Sequence, residues 1–210
     1  MKNLALLIIA ASLLTGCQSA MHAGAGSVWA VTKNQDQFTD VETKMVTVGE
    51  GLSDSFIFTR SLNYYPFVGT QDGELFVGIR SGGSYRIPTG TVQIRIDANK
   101  TWTISPDETP IYLAPTTLPT TTPTDLDEKT ATNVAMIQAE AMKNMTKAMS
   151  PYTAATGEKA KNILREMVAG KTIKYRTVGM NQAASSTGEV HINDSFLESL
   201  KAIGIDPENI

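Results

Sequence analysis

Three rhythms of apolar residues follow one another along this chain. The first is continuous: Leu4 to Leu14 is almost wholly apolar over eleven residues, behind one basic residue, Lys2. The second has period two and runs, with interruptions, from Val28 to Ile104. Side chains two apart share one face of an extended strand, so this stretch predicts a series of strands. The third steps by three and four between Leu126 and Val168, the spacing of one helix face.

Within the second rhythm, Val28 to Val31 predicts a short strand. Glu42 to Val48 alternates and predicts a half-buried one, followed by a loop at 49–54. Ser55 to Arg60 is a further β run. Leu62 to Val68 is aromatic but contains Pro66, which lacks an N–H for a ladder, so an edge or irregular strand is expected. Asp72-Gly73 has the positive-φ preference of a tight hairpin turn. It leads into Glu74–Arg80, with Leu75, Val77 and Ile79 on one face. Ser81 to Ser84 is a second turn. Thr91 to Asp97 alternates strictly, with Val92, Ile94 and Ile96 inward, and Ala98 to Lys100 turns the chain into Thr101–Ile104. Short strands at regular turn spacing predict an antiparallel sandwich or barrel.

Residues 115–124 read PTTLPTTTPT, an extended linker or a strap across the sheet. A helix then follows over 126–149. Thr124 to Asp127 fits a capping box, and Pro151 stops it. Val134, Ile137, Ala141, Met145 and Ala148 form one stripe, widened by Ala135, Met142 and Met149. The stripe either packs on the sheet or presents a soft, repackable surface to an apolar partner, since methionine adapts its shape readily. Thr156 caps a second helix, 158–168, ended by Gly170. Thr172 to Val178 alternates as a strand, 181–188 is a loop, and 189–192 is a short strand. Asn193 caps a last helix with Phe196, Leu200 and Ile203 inward, ended by Gly204, and Ile192 and Leu197 stand at hydrophobic-staple positions. The fold class expected is therefore mainly β with appended helices: an antiparallel β-sandwich over 28–204, a helical insertion at 126–169, C-terminal strands and helix, and a 205–210 tail.

The first rhythm changes where this domain is placed. A bilayer span needs roughly 20 apolar residues, so the 4–14 run is too short. A basic start, a short apolar run and small residues at its end make a cleavable secretory signal. It closes on Leu14-Thr15-Gly16-Cys17, and Cys17 is the only cysteine in the chain. This segment resembles the lipobox of bacterial lipoproteins. The resemblance implies a diacylglyceryl group on the Cys17 sulfur, cleavage between Gly16 and Cys17 to remove residues 1–16, and acylation (palmitate among the chains) of the new amine. One acyl chain holds a protein only marginally, at roughly 0.8 kcal/mol per buried CH₂, while several hold it firmly. Residues 17–27, small and polar after the Cys, are then a flexible tether. Gln18 follows Cys17 where the inner-membrane retention signal of enterobacterial-type lipoproteins would be Asp. The resemblance thus implies a cell-envelope protein facing the periplasm, with the outer membrane favoured over the inner.

Removing the leader leaves 17 basic and 21 acidic residues, a formal charge of −4. No basic cluster exists, so no nucleic-acid partner is expected. With Cys17 carrying lipid, no disulfide staples the fold, and a chain of this size must rely on an ordinary core.

A second likeness is spread along the domain. Trp29 opens the first strand, Phe38-Thr39-Asp40 precedes the second, and Val92-Gln93-Ile94-Arg95-Ile96-Asp97 is central. Ala169-Gly170-Lys171-Thr172 enters a later strand, and Phe196-Leu197 with Leu200 closes the chain. This order is similar to that of small secreted β-sandwich proteins of the invasion-associated locus B type. Here Lys44-Met45 stands where those proteins often carry Cys, and the 126–149 helix is an addition. The resemblance bears on fold and implies no activity.

Chemistry is sparse. The chain has no GxSxG, P-loop or HExxH segment. With two His and one lipidated Cys, thiol and most zinc chemistry fall away, and neither a metal nor a cofactor is expected. His22 lies in the tether. His191 and Glu189 sit two apart on one strand, as exposed neighbours. Asp97, Asp107 and Glu189 are the carboxylates a hydrolase could use, although Asp97 and Asp107 fall at turns that favour Asp anyway. No catalytic residue is assigned. The candidate partner surface is Met136, Met142, Met145 and Met149 on the helix, with the aromatic Tyr64 and Tyr65. The function expected is a non-enzymatic binding or interaction module, attached to the membrane by its lipid and meeting an envelope protein. A carrier of an apolar ligand and a carboxylate-dependent envelope hydrolase are the alternatives.

Overall fold

Asp72 and Gly73 both adopt positive φ, 50° and 81°, the geometry of a tight two-residue hairpin turn. The turn joins β4 (Tyr64–Gln71) to β5 (Glu74–Ser81), paired in register from Tyr64↔Ser81 to Gln71↔Glu74. This hairpin is the centre of the larger of two sheets. A computed structural model of the chain describes residues 27–53, 56–114, 128–179 and 186–210. The leader, Gly16 and Cys17, the tether up to Gly26, the 115–124 stretch, the 124–127 capping box and most of the 181–188 loop lie outside the described residues.

The larger sheet has six strands. β1 (Ser27–Gln35), β2 (Glu42–Ser53), β4, β5 and β8 (Tyr152–Thr156) lie in that order, and β3 (Phe56–Phe58) pairs with the far end of β2. The smaller sheet has four: β10 (Thr187–His191), β9 (Thr172–Val178), β6 (Thr91–Ile96) and β7 (Trp102–Ile104). Every pairing is antiparallel. The chain is mainly β, as the period-two rhythm predicts.

One core fills the space between the sheets. From the larger sheet come Val46, Val68, Val77 and Ala155, cross-strand neighbours in a single row, with Val48 and Ile79. From the smaller come Val92, Ile94, Ile96, Ile104, Ile173, Tyr175 and Val190. α2 (Gly157–Ala169) adds Ala160, Ile163, Leu164 and Met167, and α3 (Asp194–Ala202) adds Phe196 and Leu200. Each fully buried Val, Leu or Ile is worth about 1.5–3 kcal/mol relative to exposure. Gly204, with φ 87°, ends the last helix, as its sequence position requires.

The structure departs from the sequence in four places. β1 is longer than Val28–Val31, and β2 continues through the expected loop to Ser53. β4 is central, not an edge. Pro66 is accommodated because the β2 ladder ends beside it, at Thr47↔Phe67, and the Thr47 hydroxyl donates to the Pro66 carbonyl at 3.1 Å. The 126–169 insertion holds the two expected helices but also a strand the sequence did not predict. β8 interrupts it and supplies the last strand of the larger sheet, between α1 (Glu128–Ala148) and α2. Finally, the larger sheet is buried on both faces. On its outer face Met45, Phe67, Phe76, Leu113 and Ala154 form a second cluster. Leu113 reaches it from a pair of 3₁₀ turns, Pro106–Glu108 and Ile111–Leu113.

Candidate functional site

α1 is held at its C-terminal end. Thr146 and Ser150 are buried. The Ser150 hydroxyl donates to the Leu113 carbonyl at 3.3 Å, and the Thr89 N–H donates to the Ser150 carbonyl at 3.1 Å. Lys147 Nζ donates to the Asp107 carbonyl at 2.6 Å. These bonds fix which side of the helix faces the protein. Ala135, Gln138, Met142 and Thr146 lie inward or half-buried, three and four apart on one face.

The neighbouring face carries the stripe read from sequence, and beyond the half-buried Val134 it is turned outward. Ile137 is 69% exposed, Met145 56% and Met149 55%, with Ala141 and Ala148 exposed between them. Met136, 67% exposed, points away from that stripe. The apolar arc of the helix is wider than the surface it covers. One edge of the arc packs, while the other is a row of Ile, Met and Ala facing solvent. Of the four methionines singled out, Met142 is half-buried and the other three are exposed.

Tyr64 and Tyr65 stand elsewhere and do not join this row. Both are half-buried and pack against the main core. The Tyr64 hydroxyl donates to the Pro88 carbonyl at 3.2 Å, and burial raises its pKa. The Tyr65 hydroxyl accepts the Arg60 N–H at 2.9 Å, and its ring lies against Gly82, where a Cβ would collide with it. The Tyr64 backbone carbonyl in turn accepts the hydroxyl of Tyr175 at 2.8 Å. The two tyrosines tie the end of β4 to the 82–90 loop and to the smaller sheet.

Of the carboxylates named from sequence, those of Asp97 and Glu189 are engaged, while Asp107 takes part through its backbone carbonyl. Asp97, at φ 47°, accepts the N–H groups of Lys171 and Thr172, at 3.1 and 2.9 Å, and so binds the β6 turn to the start of β9. Glu189 pairs with its cross-strand neighbour Lys174 at 3.6 Å. Asp107 lies in the 3₁₀ turn that holds Lys147. His191 is exposed, and its carbonyl accepts the Trp29 indole N–H at 3.0 Å.

A group that sequence reasoning passed over lies near the end of β5. Tyr65, Arg80 and Tyr152 are cross-strand neighbours on β4, β5 and β8. Arg86, from the following loop, lies over the Tyr152 ring, 5.7 Å from guanidinium carbon to centroid, and its Nη1 donates to the Tyr152 hydroxyl at 2.7 Å. The sequence signal was Arg80 itself, a charged residue closing an apolar strand.

Compared with known proteins, the chain matches no family model, no curated protein and no solved structure. The likenesses noted in the sequence rest on the residues quoted for them.

Proposed function

We propose that this chain is a lipid-anchored protein of the bacterial cell envelope, held by Cys17 and facing the periplasm from the outer membrane. It acts as a non-enzymatic interaction module that offers the outer face of α1 to an apolar stripe on an envelope protein partner. The anchoring half rests on the Leu14–Cys17 segment. The interaction half is carried by one observation: Ile137, Ala141, Met145 and Ala148 stay exposed although the helix is held to the protein at its C-terminal end. A contiguous apolar strip on a soluble surface marks an interaction site more often than a scattered one does. Its spacing along the helix matches the contact line between two packed helices.

Two measurements test this. Labelled palmitate should enter the full chain and be lost in Cys17→Ser, and labelling that survives the substitution removes the anchor. A photo-crosslinking residue at Ile137 or Met145 should capture one defined envelope protein in living cells. The same residue at Lys174, exposed on the smaller sheet, should not. Equal capture from both positions, or none from α1, overturns the interaction reading.

A further inference from the structure

Arg80 is 8% exposed, and among the described residues no carboxylate pairs with it or with Arg86. Among the described residues its side chain makes one hydrogen bond, and that one is long: Nε donates to the Ser81 carbonyl at 3.4 Å, beyond the usual 2.7–3.2 Å range. Burial, and after it the positive charge of Arg86, push the guanidinium below its ordinary pKa, while Tyr152 and Tyr65 act the other way. It stays cationic nonetheless, because a guanidinium does not give up its proton in proteins.

Buried charges are normally paired, since desolvating an unpaired ion costs several kcal/mol. Here a second cation, Arg86, is held on the ring and hydroxyl of Tyr152, the cross-strand neighbour of Arg80. The 82–90 loop is fastened at both ends: the Ile87 N–H donates to the Ser81 hydroxyl at 3.0 Å, and the Thr89 hydroxyl lies 2.7 Å from that of Thr153. Arg86 uses Nη1 on the Tyr152 oxygen, which leaves the rest of its fork and the phenol proton of Tyr152 available. Two guanidinium side chains that share Tyr152 as a neighbour, with its hydroxyl as a donor and no carboxylate among the described residues paired to either, are the complement of a compact dianion.

We propose that Arg80, Arg86 and Tyr152 form a binding site for a phosphate group. A phosphomonoester carries about −1.5 to −2 charge at pH 7 and three acceptor oxygens, which matches two cations better than the single charge of a carboxylate. Arginine forks hold such oxygens in pairs. Tyr65 and Tyr152 flank Arg80 on the two neighbouring strands. The site does not rest on the reading of α1.

The test is calorimetric titration of the full chain, in a non-ionic detergent at neutral pH. Inorganic phosphate stands for a free ion, glycerol 1-phosphate for a lipid headgroup, and sodium acetate and sodium chloride serve at matched ionic strength. Saturable binding of phosphate or glycerol 1-phosphate is expected, with acetate weaker. The tighter of the two phosphates tells ion from headgroup. Arg86→Gln, at an exposed position, should keep the wild-type melting temperature and bind about tenfold more weakly or worse, the loss of a charge-assisted hydrogen bond. Tyr152→Phe should lose less. Phosphate heats equal to those of sodium chloride, acetate binding as tightly as phosphate, or Arg86→Gln titrating like the wild type would each overturn the site.

Discussion

The ring of Phe76 lies against Gly69, its cross-strand partner, where any Cβ would collide with it. One row away the pairing is reversed: Phe67 stands opposite Gly78, and the two rings meet at 5.9 Å and 57°. Each aromatic thus faces a glycine on the other strand, so two large rings fit side by side on a pleated surface with room for only one per row. Gly69→Ala should therefore destabilise the protein by about 1–3 kcal/mol through overpacking. Phe76→Leu in the same chain should return only part of that loss, because the Lys44 backbone carbonyl also stands 2.6 Å from where the Cβ would be. Denaturant unfolding of the two single variants and the double variant measures the coupling. Gly78→Ala allows no such rescue, since its obstacle is the Thr153 backbone carbonyl.

Trp29 is gripped by α3 on three counts. Its N–H donates to the Ser195 hydroxyl at 3.1 Å, its carbonyl accepts the Ser199 hydroxyl at 3.1 Å, and its ring meets Phe196 at 4.7 Å. Two serines thus satisfy the outward backbone groups of an edge strand that could otherwise pair with another chain. Ser199→Ala leaves a buried carbonyl unpaired and should cost about 1–3 kcal/mol. Phe196→Ala should cost about 3–5 kcal/mol. Thermal unfolding followed by tryptophan fluorescence reads both.

Substitutions on α1 should divide by face. Ile137→Glu and Met145→Glu remove no packing and should stay within about 0.5 kcal/mol of the wild type. Leu113→Ala, beneath the helix end, removes a buried side chain and should cost about 2–5 kcal/mol. A cooperative melt that drops sharply for either glutamate variant would mean that the outer face is part of the fold.

Asp36 titrates with the β1–β2 loop. Its carboxylate accepts the N–H groups of Phe38 and Thr39 at 2.8 and 3.0 Å, and these bonds hold its pKa below the usual aspartate value. A depressed folded-state pKa gives stabilisation that is present above the unfolded pKa and is lost as pH falls through the folded one. Amide shifts of Phe38 and Thr39 should move together on acidification, below the normal aspartate range. In Asp36→Asn that transition should vanish.

Alternation was sufficient for the smaller sheet. Val92, Ile94 and Ile96 are all inward, as are Ile173 and Tyr175, because that sheet has one wet face and one dry face. It was insufficient for the larger one. Where both faces are buried, Phe67 and Phe76 break the period without leaving the strand. Tyr152 to Thr156, with one aromatic and small residues, gives no strand signal of its own. It becomes a strand because Gly78 lets the Thr153 backbone come close to β5. On α1 the stripe was legible but its outlook was not, because hydrogen bonds from Ser150 and Lys147 set the rotation of the helix. The Arg80–Arg86 pair joins two strands and a loop, and no spacing within the sequence announces it.

The position of β8 in the chain governs how the protein is born. β1, β2, β4 and β5 are complete by Ser81 and can pair as they are made. The partner of β5 arrives only at Tyr152, and the serines that close the edge at Trp29 come later still. A nascent or truncated chain ending before Ser195 therefore carries a sheet with an open rim, including Trp29. One ending before Tyr152 has two open rims, with Phe76 beside the second. Its hazard in that interval is strand-to-strand capture by another unfinished copy.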